Sequence, residues 1–154
     1  MAENFSVAWT GELTRAGVLD ARSERRRVRA AIQRYNVTPA SPQRRITALS
    51  GGNQQKVVLG RVFDRDLDVL VLLEPTRGID VGAKSEIYDL MQERAREGAG
   101  LLVISSDLPE LLGIADRILV FFRGEVRAEF AAAGLDEERL AHVVVSGVPL
   151  EPAA

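Results

Sequence analysis

Leu49-Ser50-Gly51-Gly52-Asn53-Gln54-Gln55-Lys56-Val57 is the stretch that decides how this chain is read. A serine and two glycines stand where a helix is about to start. Several backbone N–H groups there lack intrahelical partners and point outward. Free donors and the positive end of the helix dipole then face the same way, an arrangement that suits a phosphate. Gly51 and Gly52 carry no side chain, so a ligand can approach the backbone closely. Ser50 can cap the helix or give its hydroxyl to a phosphate oxygen. The plain alternative is an ordinary capped helix, and the rest of the chain decides between the two.

The 154 residues are compatible with one domain. Hydrophobic residues make up 46% but aromatics only 5%, so the core must be mostly aliphatic. The absence of cysteine excludes disulfides and thiolate metal sites and fits a reducing compartment. No charged stretch followed by an apolar run opens the chain, so no signal peptide is expected. No uncharged apolar segment reaches the length of a membrane span. Net charge is −2, unevenly spread: residues 1–50 carry nine arginines against four acids, and the remainder eleven basic against eighteen acidic residues. The basic part centres on Arg22, Arg25, Arg26, Arg27 and Arg29. It reads as a solvated helix face rather than a nucleic-acid patch, because aromatic stacking residues are nearly absent there.

Residues 1–48 read as helical and irregular. Ser23 to Tyr35 places Val28, Ala31, Ile32 and Tyr35 at helical spacing, and Pro39 and Pro42 flag a loop. Ser50 opens a helix with Val57, Val58, Val62 and Phe63 inward, followed by a polar turn from Asp64 to Asp68. Strand and helix then alternate. Val69 to Leu73 is a continuous apolar run, as expected of a strand buried on both faces. A helix over about Gly82 to Arg96, with Ile87, Leu90, Met91 and Ala95 on one face, ends near Gly98 and Gly100. Leu101 to Ile104 reads as a second buried strand. Leu108 to Leu112 reads as a short helix with Pro109 in its first turn. Ile118 to Phe122, Arg123-Gly124 and Glu125 to Phe130 read as strand, tight turn and strand. Leu135 to Val145 is a final helix, on which His142, the only histidine, is read as structural. Two strands around one crossover helix imply a right-handed βαβ unit.

Glu74 directly follows the strand Val69–Leu73, and ligands of open parallel sheets bind outside the carboxyl ends of strands. A carboxylate there can polarise a water or hold a metal. Alone it would read as a capping or salt-bridged glutamate, but Pro75-Thr76-Arg77-Gly78-Ile79-Asp80 follows it.

Together these residues resemble the ABC-transporter ATPases. Leu49–Val57 looks like their signature motif, Val69–Glu74 like their Walker B strand with its terminal glutamate, and Gly78-Ile79-Asp80 like their D-loop. Leu101–Pro109 looks like their switch region, and Ala115-Asp116-Arg117-Ile118 matches the start of the strand that follows. The longer forms LSGGNQQKV, EPTRGIDVGAK and SSDLPELLG narrow the resemblance to the second ATPase half of sugar importers of the ribose, galactose and xylose type. The match runs from residue 4 to about 147.

The resemblance implies an α/β, partial P-loop NTPase fold. It comprises a parallel-sheet core and part of the helical subdomain, without the Walker A portion. Residues 1–48 would belong to the helical subdomain, 49–147 to the signature helix and the C-terminal part of the ATPase core, and 148–154 to a tail. No Walker A pattern, Gly-x-x-x-x-Gly-Lys-Ser/Thr, precedes Leu49. Gly78 to Ser85 misses that pattern by one residue. Ala83 puts a methyl group where the backbone must turn, and Glu74 to Arg77 separate the segment from its strand. The family normally has an aspartate at the position of Leu73 that helps hold Mg²⁺, and leucine cannot bind a hard cation. Ser106 stands where most ABC ATPases have a histidine; it can hydrogen-bond but cannot carry positive charge.

In the family two ATPase domains sandwich ATP, each site pairing the Walker A loop of one with the signature of the other. The resemblance thus implies that Leu49, Ser50, Gly51, Gly52, Asn53 and Gln54 meet ATP in trans, with Mg²⁺ supplied through the partner site. Glu74 and Ser106 would be catalytic, and Gly78, Ile79 and Asp80 would lie at the dimer interface. The implied partners are a second ATPase domain, a transmembrane permease and, indirectly, a periplasmic or surface sugar-binding protein. The implied location is cytoplasmic, peripheral on the inner face of the cell membrane. Hydrolysis by the chain alone is not expected. The alternatives are a truncated non-catalytic remnant or regulatory module without a transport role, and a soluble ABC-type ATPase acting on nucleic acid.

Overall fold

The computed structural model describes residues 1–15 and 17–149. These fall into two compact units, one of Met1–Val71 with Pro75–Leu102 and one of Leu72–Glu74 with the chain from Val103 on. The chain passes between them inside two strands.

The first unit begins with α1 (Ala2–Ser6), a 3-10 turn (Val7–Trp9) and α2 (Thr10–Leu13). A short antiparallel pair follows, β1 (Thr14–Arg15) with β2 (Val18–Leu19). No alternation of apolar and polar residues there is long enough to reveal it. Asp20 starts α3 (Ala21–Arg34) by accepting the N–H groups of Arg22 and Ser23, both at 3.0 Å. That cap explains why the helix begins ahead of the expected Ser23. Val28, Ala31, Ile32 and Tyr35 are all buried as their spacing predicts. Phe5 stacks on Trp9 with ring centroids 5.9 Å apart and on Tyr35 at 6.3 Å. The core of this unit is nevertheless mostly aliphatic, as composition predicts, with these aromatics stacked inside it. Burial pushes the Tyr35 phenol up to about 12.

Ser50 opens α4 (Gly51–Phe63), which packs against α1 and α5 (Val81–Arg96). Val57 and Phe63 are buried as expected, but Val58 and Val62 are only half-buried. Lys56, Leu59 and Gly60 take the inward face instead. Gly60 sits there because a Cβ would come within 2.5 Å of the Tyr35 ring. In α5 the expected Ile87 and Met91 are buried and Leu90 is half-buried, whereas Ala95 is exposed and Arg94 takes its place inside. The Arg94 guanidinium donates to the carbonyls of Arg65 at 3.2 Å and Leu67 at 2.9 Å, fixing the polar turn.

β3 (Val69–Leu73) is paired with β4 (Gly100–Ile104). In the first unit the Gly100 N–H donates to Asp68 O at 2.8 Å; in the second the Glu74 N–H donates to Ile104 O at 2.7 Å. The two bonds run in the same order along both strands, as a parallel pair requires. Burial on both faces does not hold. Leu70 and Leu72 are buried, but Val69 (65%), Val71 (63%) and Leu73 (71%) are exposed. Leu102 and Ile104 of β4 are exposed as well. A continuous apolar run signals that both faces suit an interior, and it does not record whether both are covered.

The second unit holds α6 (Leu108–Ile114), β5 (Arg117–Phe122), β6 (Glu125–Ala131) and α7 (Glu137–Ser146). β5 and β6 form the expected antiparallel hairpin, with Arg117 opposite Ala131 and a bulge between Val120 and Phe121. Its turn places Arg123 at φ 52° and Gly124 at φ 83°, the two positive values that a two-residue hairpin loop needs. Ile118, Val120, Ala132, Leu140 and Val143 form the core. His142 is exposed on α7, so it has no part in that core. The expected tail over 148–154 lies outside the described residues from Leu150 on.

Candidate functional site

In the first unit the candidate residues meet at the start of α4. Ser50 adopts an extended backbone (φ −62°, ψ 158°) and its Oγ accepts the Asn53 N–H at 3.4 Å, the geometry of an N-cap. The Gly51 and Gly52 N–H groups have no hydrogen-bond partner among the described residues. Ser50 and Gly51 are exposed, so the Ser50 hydroxyl and the Gly51 N–H border solvent, whereas Gly52 is buried. Leu49 is buried and anchors the turn from below. Gln54 does not face outward: its Nε2 donates back to Leu49 O at 2.9 Å. The smallness of the two glycines has two different causes. A Cβ on Gly52 would lie 2.5 Å from the Ala83 Cβ, so Gly52 allows α4 and α5 to approach closely. A Cβ on Gly51 would meet only ordinary contacts, 3.7 Å from Gly78 O and Ile79 Cδ1. Close ligand approach therefore concerns Gly51, while Gly52 serves packing as well.

Gly78, Ile79 and Asp80 lie beside this turn. Gly78 has φ 74°, a value that suits glycine, and the Ile79 N–H donates to Thr76 O at 3.1 Å. Asp80 caps α5 through Ala83 N–H at 2.9 Å. The helix thus begins at Val81, inside the run that nearly matches a phosphate loop, and Gly82 and Ser85 are already helical. That local structure is a capped helix, in line with discounting the near match.

The sequence reading missed Lys56. It is 4% exposed, yet its Nζ donates to Glu86 Oε2 and to Asn36 O, each at 2.7 Å. A buried ammonium needs such partners. The signal was present, since Lys56 falls on the inward face of an otherwise apolar helix.

The second unit brings Glu74 and Ser106 together. Glu74 has φ 48°, a left-handed conformation that costs a non-glycine residue of order 1 kcal/mol or more. Its Oε1 accepts the Ser106 N–H at 3.0 Å. The main chain of Ser106 makes that contact, and the residue itself is exposed. Next to it Ser105 Oγ donates to Glu110 Oε2 at 2.5 Å and accepts the Asp107 N–H at 3.1 Å. Ser105 and the buried Glu110 are further residues that the sequence did not single out. Leu73 ends β3 and offers no ligand atom, and among the described residues no group of three or more His, Cys, Asp or Glu side chains could hold a metal.

No family model matches the chain. It is 44% identical over 156 residues to the xylose import ATP-binding protein XylG of Burkholderia ambifaria, covering 100% of this chain and 30% of that protein. It is 43% identical to the ribose import ATP-binding protein RbsA of Geobacillus kaustophilus (94% and 29%) and 46% identical to the arabinose import ATP-binding protein AraG of Pseudomonas savastanoi (91% and 28%). The chain thus spans about 30% of the length of the curated relatives it matches. Among solved structures it superposes on the ATP-binding cassette MJ1267 of an ABC transporter with TM-score 0.76 and 20% identity, over 94% of this chain and 60% of that one. It superposes equally on a metal-chelate type ABC transporter, TM-score 0.76 at 16% identity, over 96% and 58%.

Proposed function

This chain is a partial ABC ATPase of the sugar-importer type, and from that premise we propose that it supplies the signature half of a nucleotide sandwich completed by a second ATPase domain. The observation that carries the reading is the pair of unpartnered N–H groups of Gly51 and Gly52 beside the exposed Ser50 hydroxyl. Three donors at the positive end of a helix suit the terminal phosphate of ATP. Leu49 holds this turn, and Asp80 with Gly78 and Ile79 lies against the partner domain. Glu74 orients the attacking water, with Ser106 beside it. Phosphoryl transfer depends mainly on positioning and charge stabilisation, so the signature turn contributes binding and positioning to a site whose phosphate loop the partner domain supplies.

The wider assembly follows from the same reading. No helix among the described residues is long and apolar enough to cross a membrane. Membrane passage of the sugar falls to a permease, with the chain peripheral on its cytoplasmic side and a sugar-binding protein on the other. Leu73 favours one second reading, a non-catalytic module that regulates or completes a partner. The full chain incubated with saturating ATP and Mg²⁺ is expected to release no phosphate above background. Turnover by the chain alone would contradict the proposal.

A further inference from the structure

Asn53 occupies the fifth position of the stretch read above as a nucleotide contact. Its own bonds give it a different task. The Thr38 backbone N–H donates to Asn53 Oδ1 at 2.7 Å. A backbone N–H can only donate, so this bond fixes which end of the amide is oxygen. The other end, Nδ2, then faces Ser50 and donates to its Oγ at 2.9 Å. The Asn53 N–H donates to the same Oγ at 3.4 Å. A serine oxygen has two lone pairs and one proton. With both lone pairs taken from the Asn53 side, the proton is the remaining valence, and it points away from Asn53.

The far end of this chain is held firmly. Val37 is buried, and its N–H donates to Ile32 O at 3.0 Å. The carbonyl of Asn36, at φ 46°, accepts from the buried Lys56 Nζ. Lys56 lies one helical turn beyond Asn53 on α4, so the same helix anchors the turn at 36–38 and receives its Thr38 N–H. We propose that Asn53 is a positioning residue that presets the Ser50 hydroxyl as a donor to an anion, through the sequence Thr38 N–H, Asn53 amide, Ser50 Oγ–H. Asn53 itself does not touch the ligand. The inference rests on the reading of Leu49–Gln54 as a phosphate contact and adds which residue sets its donor direction.

The test is a double-mutant cycle on the full ¹⁵N-labelled chain, titrated with tripolyphosphate and followed at the Gly51 and Gly52 amides. Ser50→Ala is expected to weaken the response about tenfold, the worth of one charge-assisted hydrogen bond. Asn53→Leu, which is neutral, should weaken it about fivefold when Ser50 is present and not at all in the Ser50→Ala background, since the effect runs through the hydroxyl. Asn53→Asp keeps an acceptor for Thr38 but accepts the Ser50 proton, so it should weaken the response more than Asn53→Leu. Equal losses with and without the Ser50 hydroxyl, or no loss in Asn53→Leu, would overturn the proposal while the phosphate reading stands. No response in the unmodified chain would overturn the phosphate reading itself, before any variant is made.

Discussion

Ser50→Arg is expected to lower ATP turnover of an importer assembled with this chain by about 100- to 1000-fold, the range seen when a preorganised donor to a transition-state oxyanion is lost. Three effects add. The hydroxyl donor disappears. The arginine side chain stands over the exposed Gly51, where close approach is needed. The helix also loses its cap, because arginine cannot accept the Asn53 N–H that Ser50 accepts. The last effect costs only about 1 kcal/mol of helix stability, so the protein should still fold. Comparing turnover with a thermal melt separates the contributions: activity falls by orders of magnitude and the melting temperature by a few degrees. Unchanged turnover would remove Ser50 from the site.

Trp9→Ala is the substitution expected to hurt stability most. Trp9 is fully buried between Phe5 and the face of Arg27, whose guanidinium carbon lies 4.5 Å from the ring centroid. Arg27 is itself held by Glu12 and by Asp64, the latter at 3.1 Å. The ring therefore joins the start of the chain, α3 and the end of α4. Removing a buried tryptophan costs about 3–5 kcal/mol, against about 5–15 kcal/mol for a whole domain. Urea unfolding should show the midpoint of this unit collapsing or the transition disappearing. Trp9→Phe keeps an aromatic ring and removes an indole N–H that has no hydrogen-bond partner, so its loss should be much smaller. Equal midpoints for the unmodified chain and Trp9→Ala would show that this cluster does not hold the unit together.

These two positions also mark where the sequence was legible. The start of α4 was readable because capping chemistry is local: a serine, two glycines and a following apolar period are visible within nine residues. The β5–β6 hairpin was readable for the same reason, since Arg123-Gly124 provides the two positive φ values. Tertiary features were not legible. Phe5 and Trp9 stand one helical turn apart, but Tyr35 lies far from both in the chain, and nothing local announces that it stacks on Phe5. The exposure of Val69, Val71 and Leu73 depends on which layers cover the sheet, which an apolar run does not record.

The site divides along the same line. The spacing put Ser50, Gly51 and Gly52 at a helix start and Glu74 at a strand end, and both placements hold in the structure. The bond of Asn53 to the Thr38 N–H, the buried tie of Lys56 to Glu86 and the left-handed backbone of Glu74 depend on partners distant in sequence or on backbone strain, whereas the bonds of Asn53 to Ser50 and of Gln54 to Leu49 are local. Resemblance to a motif assigns such residues collectively to a ligand. Their hydrogen bonds separate those that face it from those that hold the others in place.

The most direct test observes the Gly51 and Gly52 amides in the ¹⁵N-labelled chain mixed with an unlabelled ATPase domain that carries a Walker A loop. Adding ATP should shift both resonances, and ADP should leave them where they were, because only ATP brings a third phosphoryl group to the donors. Identical spectra with ATP and ADP, under conditions where the two domains are associated, would contradict the assignment of this helix start to the nucleotide.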